Sequence, residues 1–295
     1  VTLSILRARS FAKINLVLSV LGRRTDGYHD IRTIFQSIDL CDELEFRPAA
    51  QLELHCDSFP DLRAEDNLVW KAASLLRSTL QEKPGASITL RKRIPAGAGL
   101  GGGSSNAAIT LLGLRRLWNI EMPDSDLFSL AASLGSDVPY FLTGGMALGI
   151  GRGESIHPLP DMPAENLVVL FPGVHISTAW AYRSLNLGLT SSTEDLRIQR
   201  FCGQVKDGMY PLTEIFNDFE VSILPAYPPV MEAKSFLREH GAIASMLSGS
   251  GSSVFGFFSN EESAIAAARE VEREAWRVFP AKTLSRAEYL QKMFG

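Results

Sequence analysis

Apolar and polar residues alternate along much of the chain's first fifth. Ile14, Leu16, Leu18 and Val20 fall on one side of residues 5–20, which predicts one or two strands there. Gly22-Arg23-Arg24-Thr25-Asp26-Gly27 reads as a turn. A strand-like run from Tyr28 to Leu40 follows, and two shorter alternating runs cover 42–46 and 51–56. The period then changes. Asp66-Asn67 caps a predicted helix from Leu68 to Leu80, with Leu68, Ala72, Leu75, Leu76 and Leu80 on one face.

The middle of the chain holds its most unusual stretch. A strand over Ala86–Leu90 and the basic triplet Arg91-Lys92-Arg93 lead into Pro95-Ala96-Gly97-Ala98-Gly99-Leu100-Gly101-Gly102-Gly103-Ser104-Ser105-Asn106-Ala107-Ala108. That run opens directly on a helix, Ile109 to Trp118. A further helix is predicted over Asp124–Leu134, a turn and second helix start over 135–141, and a glycine-rich strand over 144–151. Proline and acid concentrate at 158–165, which places a domain boundary between 160 and 161.

Beyond it, strands are predicted at 167–171, 242–246, 254–258 and 276–279. Helices are predicted at Thr178–Leu185, Leu212–Val221, Pro228–Glu239 and Glu261–Glu274. Residues 186–195 read as a polar, mobile loop, and no tandem repeat is visible. Strands and helices mixed in this way give an α+β class.

The chain has 295 residues, enough for two domains, with 45% apolar and 21% charged residues as in ordinary globular proteins. A net charge of −4 argues against nucleic acid as a partner, although Arg91-Lys92-Arg93 can serve phosphates locally. Cys41, Cys56 and Cys202 form no CxxC pair, which fits a reducing cytoplasm. No apolar run approaches the ~20 residues that span a bilayer, and no secretory leader pattern is present, so no membrane association is expected.

The glycine run is physically an anion cradle. Its backbone N–H groups can approach a ligand closely, and the helix behind it presents unpaired N–H groups and its positive pole. Ser104 and Ser105 add hydroxyls that can meet phosphate oxygens or a metal-bound water. No lysine follows the glycines, which excludes a Walker A loop, and the dinucleotide fingerprint is not spelled cleanly. Two further stretches can carry chemistry. Lys13 and Asn15 project from one strand face. Asp137 is either a helix cap or a carboxylate able to take a hydroxyl proton, which phosphoryl transfer requires. The four remaining histidines, His55, His157, His175 and His240, show no metal-ligand spacing.

The string Pro-x-Gly-x-Gly-Leu-Gly-Gly-Gly-Ser-Ser-Asn-Ala-Ala resembles the ATP-phosphate loop of the GHMP kinases, which include galactokinase, homoserine kinase, mevalonate kinase and phosphomevalonate kinase. Ala12-Lys13-Ile14-Asn15-Leu16 resembles their N-terminal motif, Gly135-Ser136-Asp137-Val138-Pro139 their catalytic-aspartate segment, and the 247–255 stretch their C-terminal glycine motif. The resemblance implies a two-domain fold. Its first part, 1–160, is a βαβ-containing domain like ribosomal-protein domain 2, and its second, 161–295, is a ferredoxin-like α/β sandwich, with the active site in the cleft between. It implies ATP and Mg²⁺. It puts Lys13 and Asp137 in catalysis, and Pro95, Ala96, Gly97, Ala98, Gly99, Leu100, Gly101, Gly102, Gly103, Ser104, Ser105, Asn106 and Asn67 on the nucleotide. It puts Asn15, Thr178, Gly249, Ser250 and Gly251 on the acceptor.

No acid occurs in Ile109–Trp118, so the metal falls to the phosphates, water and Ser104 or Ser105. Arg23 to His29, with Ile34 to Leu40 behind, resembles the branch of the family whose acceptor is a cytidine-diphosphate sugar alcohol. There Tyr28 would stack on the base, Tyr182 would supply a second ring, and His29 would bond the base edge. The alternatives are a family kinase for homoserine or a phosphorylated mevalonate, a catalytically silent sensor, and a nucleic-acid binder; monomer and homodimer both stay open.

Overall fold

β1 (Leu6–Arg23) and β2 (His29–Ala49) are two long antiparallel strands, and a sheet grows on both sides of them. The structure, a computed structural model, describes residues 5–56, 63–185 and 192–295. β2 runs unbroken through Leu40–Asp42, where the sequence suggests two strands. A register shift between Phe11 and Ala12 lets Ile38 and Cys41 oppose neighbouring residues of β1, so an irregularity in the ladder absorbs the break.

Seven strands make this first sheet. β4 (Gly85–Arg91) pairs onto the far half of β2 and β3 (Leu52–Cys56) onto β4; β5 (Met146–Gly151) pairs onto the near half and β6 (Ser155–Pro158) onto β5. α1 (Leu68–Ser78) and α2 (Gly102–Leu117) cover one face. Val69, Leu76, Ala107, Leu111 and Leu114 pack there on Phe46, Ile88 and Leu90, together with Leu127 of α3 (Asp124–Leu134). A short helix, α4 (Tyr140–Thr143), follows the Asp137 segment.

The second sheet has four antiparallel strands in the order β11-β7-β10-β9, with β7 (Asn166–Phe171), β9 (Ala244–Leu247), β10 (Val254–Phe258) and β11 (Arg277–Lys282). Its strands alternate between two cores. Val168, Leu170, Val254 and Phe258 meet Val230, Ala233 and Leu237 of α8 (Pro228–Glu239) and Ala264 and Ala267 of α9 (Glu261–Arg269). Leu167, Val169, Phe255 and Phe257 face Ile14, Leu16, Ile34 and Ile38 of the first sheet. Two sheets therefore share one apolar layer, and the residues at its rim form the cleft.

Two expectations need correction, and one helix comes in addition. The helix predicted at Leu212–Val221 is a 3-10 turn (Leu212–Glu214), a short strand β8 (Phe216–Asn217) parallel to β1, and then α7 (Glu220–Ala226). The cause is tertiary: Asn217 Nδ2 donates to the carbonyls of Leu247 (2.9 Å) and Gly249 (2.8 Å), which holds the chain extended there. The helix predicted at Thr178–Leu185 is α5 (Thr178–Ser184). The loop predicted over 186–195 lies partly outside the described residues, and a helix, α6 (Ser192–Lys206), begins within it. A last helix, α10 (Arg286–Met293), was not anticipated. It returns to the first core, where Tyr289 and Met293 are buried. The break expected at 160/161 falls between β6 and β7, yet β8 and α10 both pack on the first side of it.

Candidate active site

Three segments converge on Lys13. Its backbone N–H donates to Leu100 O (3.0 Å), which ties the glycine run to β1. Its side chain is 4% exposed. The ammonium donates to Asn15 Oδ1 (2.6 Å) and Gly99 O (3.0 Å), and lies 3.6 Å from Asp137 Oδ2. Burial pulls the Lys13 pKa below the usual lysine value, and the Asp137 charge opposes that shift. Asn15 is itself oriented: its Nδ2 donates to Thr33 Oγ1 (2.7 Å), whose hydroxyl donates to Val17 O (2.7 Å). Sequence reasoning missed Thr33, since its partnership depends on the β1–β2 register.

Gly97, Gly99 and Gly101 precede α2 with positive φ. By helix geometry the N–H groups of Gly102, Gly103 and Ser104 have no acceptor within α2. They lie on one wall of a cleft of about 1140 Å³. Pro95, Gly97, Ala98, Gly99 and Gly101 share that wall.

The turn at 247–253 packs against that wall and extends the lining through Gly249, Ser250 and Gly251. Ser248 Oγ donates to Gly99 O (2.9 Å) and Ser253 N donates to Ala98 O (3.1 Å), so the two glycine segments are locked together. A β-carbon at Gly99 (φ +79°) would lie 2.0 Å from Ser248 O. Neither backbone can give way without breaking these bonds. Gly99→Ala is therefore expected to lower unfolding free energy by about 3 kcal/mol, read from the urea midpoint at constant slope; an unchanged midpoint would show that the two segments are not coupled. A β-carbon at Gly249 would sit 3.3 Å from Lys13 Nζ, so glycine there keeps space beside the ammonium.

Asn15, Tyr28, His29, Thr178, Tyr182, Gly249, Ser250 and Gly251 all line the same cleft, and Thr178 Oγ1 lies 3.1 Å from Ser250 Oγ. The ring that stacks on Tyr182 is that of His29 (4.7 Å between centroids, 16° between planes). Burial and the Arg23 charge pull the His29 pKa down, which favours a neutral imidazole. Tyr28 is 55% exposed, and the Arg152 guanidinium sits 4.8 Å from its ring centroid. Among the described residues the lining carries Lys13, Arg23, Arg152 and Arg183 against one carboxylate, Asp137. The chain is acidic as a whole, but this cleft suits anions.

Several residues expected on the nucleotide do not reach the cleft. Ser105 and Asn106 are buried, 0% and 2% exposed. Ser105 Oγ accepts from Ser10 Oγ (2.7 Å), and Asn106 is hydrogen-bonded to Ser10, Asp42 and Lys92. Leu100 is in the core between the sheets, Ala96 points outside the lining, and Asn67 caps α1 through Val69 N (2.9 Å). Lys92 is turned inward as well, onto Asp42. The facing of α2 on the sheet decides the place of Ser105 and Asn106, and a single sequence carries no signal for it. Arg152, Arg183 and Asn217 carry no sequence signal of a site role, and Arg23 enters only as the start of the Arg23–His29 motif. No helix among the described residues is long and apolar enough to cross a membrane.

Comparison with known proteins agrees with this geometry. The GHMP kinases N terminal domain family matches residues 67–145, and the GHMP kinases C terminal family matches residues 205–278. A 4-diphosphocytidyl-2-C-methyl-D-erythritol kinase of Geobacter sulfurreducens is 40% identical over 92% of this chain and 97% of its own length. Its namesake from Chlorobium phaeobacteroides is 45% identical over 88% and 92%. A crystal structure of 4-(cytidine 5'-diphospho)-2C-methyl-D-erythritol kinase superposes with a TM-score of 0.79 at 35% identity, covering 94% of this chain and 99% of that one. That two-domain arrangement is the fold described above. Sequence, fold and the joining of three distant motifs around one buried lysine lead to the same place: this chain belongs to the GHMP kinases, among the 4-diphosphocytidyl-2-C-methyl-D-erythritol kinases.

Proposed function

We propose that the chain transfers the γ-phosphoryl group of ATP to the 2-hydroxyl of 4-diphosphocytidyl-2-C-methyl-D-erythritol, a step of the non-mevalonate isoprenoid pathway. The observation that carries this reading is the Lys13–Asp137 pair, 3.6 Å apart, in a cleft whose one lining carboxylate among the described residues is Asp137. Phosphoryl transfer depends mainly on positioning and on neutralising charge. Asp137 receives the hydroxyl proton as the acceptor oxygen bonds to the γ-phosphorus and the bond to the β-phosphate breaks. Lys13 pairs with Asp137 and stabilises charge on the transferring group. The free amides of Gly102, Gly103 and Ser104 hold the phosphate tail.

The residues fit Mg²⁺ in one way. Among the described residues no group of three His, Cys, Asp or Glu side chains could hold a metal. Ser104 lines the cleft, whereas Ser105 is fully buried and spent on Ser10. Ser104 is thus the loop hydroxyl that would meet an ion held otherwise by phosphates and water, and the ion would supply charge neutralisation.

Tyr28, His29 and Tyr182 supply the base site. An exposed ring backed by a guanidinium, next to a stacked His–Tyr pair, suits a flat heterocycle. Tyr28→Ala is expected to raise KM for the cytidine substrate about tenfold with KM for ATP unchanged, since base stacking contributes about 1–3 kcal/mol. Steady-state kinetics with each substrate varied in turn decides it, and an unchanged KM for the cytidine substrate removes the base assignment. An ATP-consumption assay across cytidine, homoserine and mevalonate-type alcohols tests the acceptor directly.

A further inference from the structure

One buried carboxylate holds both ends of the glycine run. Asp42, on β2, is 0% exposed and makes four hydrogen bonds. Its Oδ1 accepts from the backbone N–H groups of Arg93 (2.7 Å) and Ile94 (2.8 Å), the two residues that lead into the run. Its Oδ2 accepts from Asn106 Nδ2 (2.9 Å), in the first turns of α2, and from Lys92 Nζ. Lys92 Nζ also donates to Asn106 Oδ1 (3.0 Å), and Asn106 Nδ2 to Ser10 Oγ (2.8 Å). Every side-chain N and O atom of this cluster has a hydrogen-bond partner. None of Ser10, Asp42, Lys92, Ser105 or Asn106 lines the cleft.

We propose that Asp42 is a positioning residue for nucleotide binding. It sets the distance between the entry and the exit of the glycine run, and so fixes where the first amides of α2 point. The proposal rests on the reading of that run as the ATP-phosphate site. Loop and helix start would otherwise be free to separate, because glycines impose little conformational preference of their own. A buried network of this kind acts as a unit only while every member is satisfied.

The chemistry of Asp42→Asn is selective. The amide oxygen still accepts from Arg93 and Ile94, so the entry tie survives. The amide nitrogen then faces two donors, Asn106 Nδ2 and Lys92 Nζ, and leaves the Lys92 cation buried without its carboxylate. Removing that cation as well, in the Asp42→Asn/Lys92→Met double variant, lets Asn106 turn its oxygen toward the new amide and re-form the exit tie, with Ser10 Oγ then donating to that oxygen where it had accepted from the nitrogen.

The test is ATP and ADP affinity by calorimetry, with KM for each substrate. Asp42→Asn is expected to weaken nucleotide binding and raise KM for ATP about tenfold. KM for the cytidine substrate should stay within about twofold, and the double variant should recover to within about threefold of the parent. A merely structural role would lower the thermal midpoint without this split between substrates and without recovery. Unchanged nucleotide affinity in folded Asp42→Asn, or an equal rise in both KM values, overturns the proposal. If Asp42→Asn does not fold, Asn106→Leu cuts the exit tie alone, and unchanged ATP affinity there overturns it equally. Gly101→Ala separates this from the underlying reading, since its β-carbon would lie 2.7 Å from Phe141 and distort the run itself. If Gly101→Ala leaves ATP affinity intact, the run is not the phosphate site. If Gly101→Ala weakens it and Asp42→Asn does not, the role of Asp42 alone fails.

Discussion

Asp137→Ala is expected to cut turnover about 10³-fold while nucleotide affinity stays within about twofold. General-base catalysis by a positioned side chain contributes roughly 10²–10⁴-fold, and among the described residues no second carboxylate lines the cleft to substitute. The side chain is 32% exposed, and its ion pair is with Lys13, so the truncation leaves no large cavity. Single-turnover kinetics with saturating ATP reads the chemical step, and calorimetry with ADP reads binding. Turnover near that of the parent would remove Asp137 from the reaction. The pH response gives a second signature in Asp137→Asn. Burial already pulls Lys13 down, and the Asp137 charge resists. Without that charge Lys13 falls further, so the alkaline limb of residual activity should move to lower pH than in the parent.

Lys13→Met is expected to lower kcat by about 10²–10³-fold, with a smaller rise in KM for ATP. Losing one preorganised charge that meets the developing charge of the transition state costs about that much. The substitution also strands Asn15 Oδ1 and leaves Gly99 O with Ser248 alone among the side chains that now donate to it. The methionine chain keeps the apolar stem packed against Phe35, whose ring centroid is 5.5 Å from the ammonium. Measuring kcat and both KM values separates the loss of charge from the loss of fold. An effect confined to KM for ATP would make Lys13 a nucleotide ligand with no share in the chemical step.

The parts of this site that were legible from the sequence are local. Lys13 and Asn15 share a strand face by the two-residue period, and the glycine run announces a helix start. The strand–loop–helix order around that run held, as did the helices at α1, α3 and α8. What escaped depends on partners far along the chain. Ser105 and Asn106 look like ligands because they stand beside the glycines, but the rotation of α2 on the sheet turns them onto Ser10 and Asp42. The 212–221 stretch has helical composition, yet Asn217 is drawn out by carbonyls 30 and 32 residues downstream. The stacking of His29 on Tyr182 joins a hairpin end to a helix of the other half, and no local pattern announces such a pair.

Tyr289 donates to the carbonyl of Phe141 (2.6 Å), and a β-carbon at Gly144 would strike its ring at 2.2 Å. The platform that carries Asp137 is therefore completed by a residue 148 positions downstream of Phe141. Tyr289 is buried in the same core as Ala107 and Leu111 of α2, the helix that opens on the nucleotide wall. Translation proceeds from the N-terminus, so this support leaves the ribosome last, and premature termination upstream of Tyr289 should cost the product its grip on ATP together with its turnover.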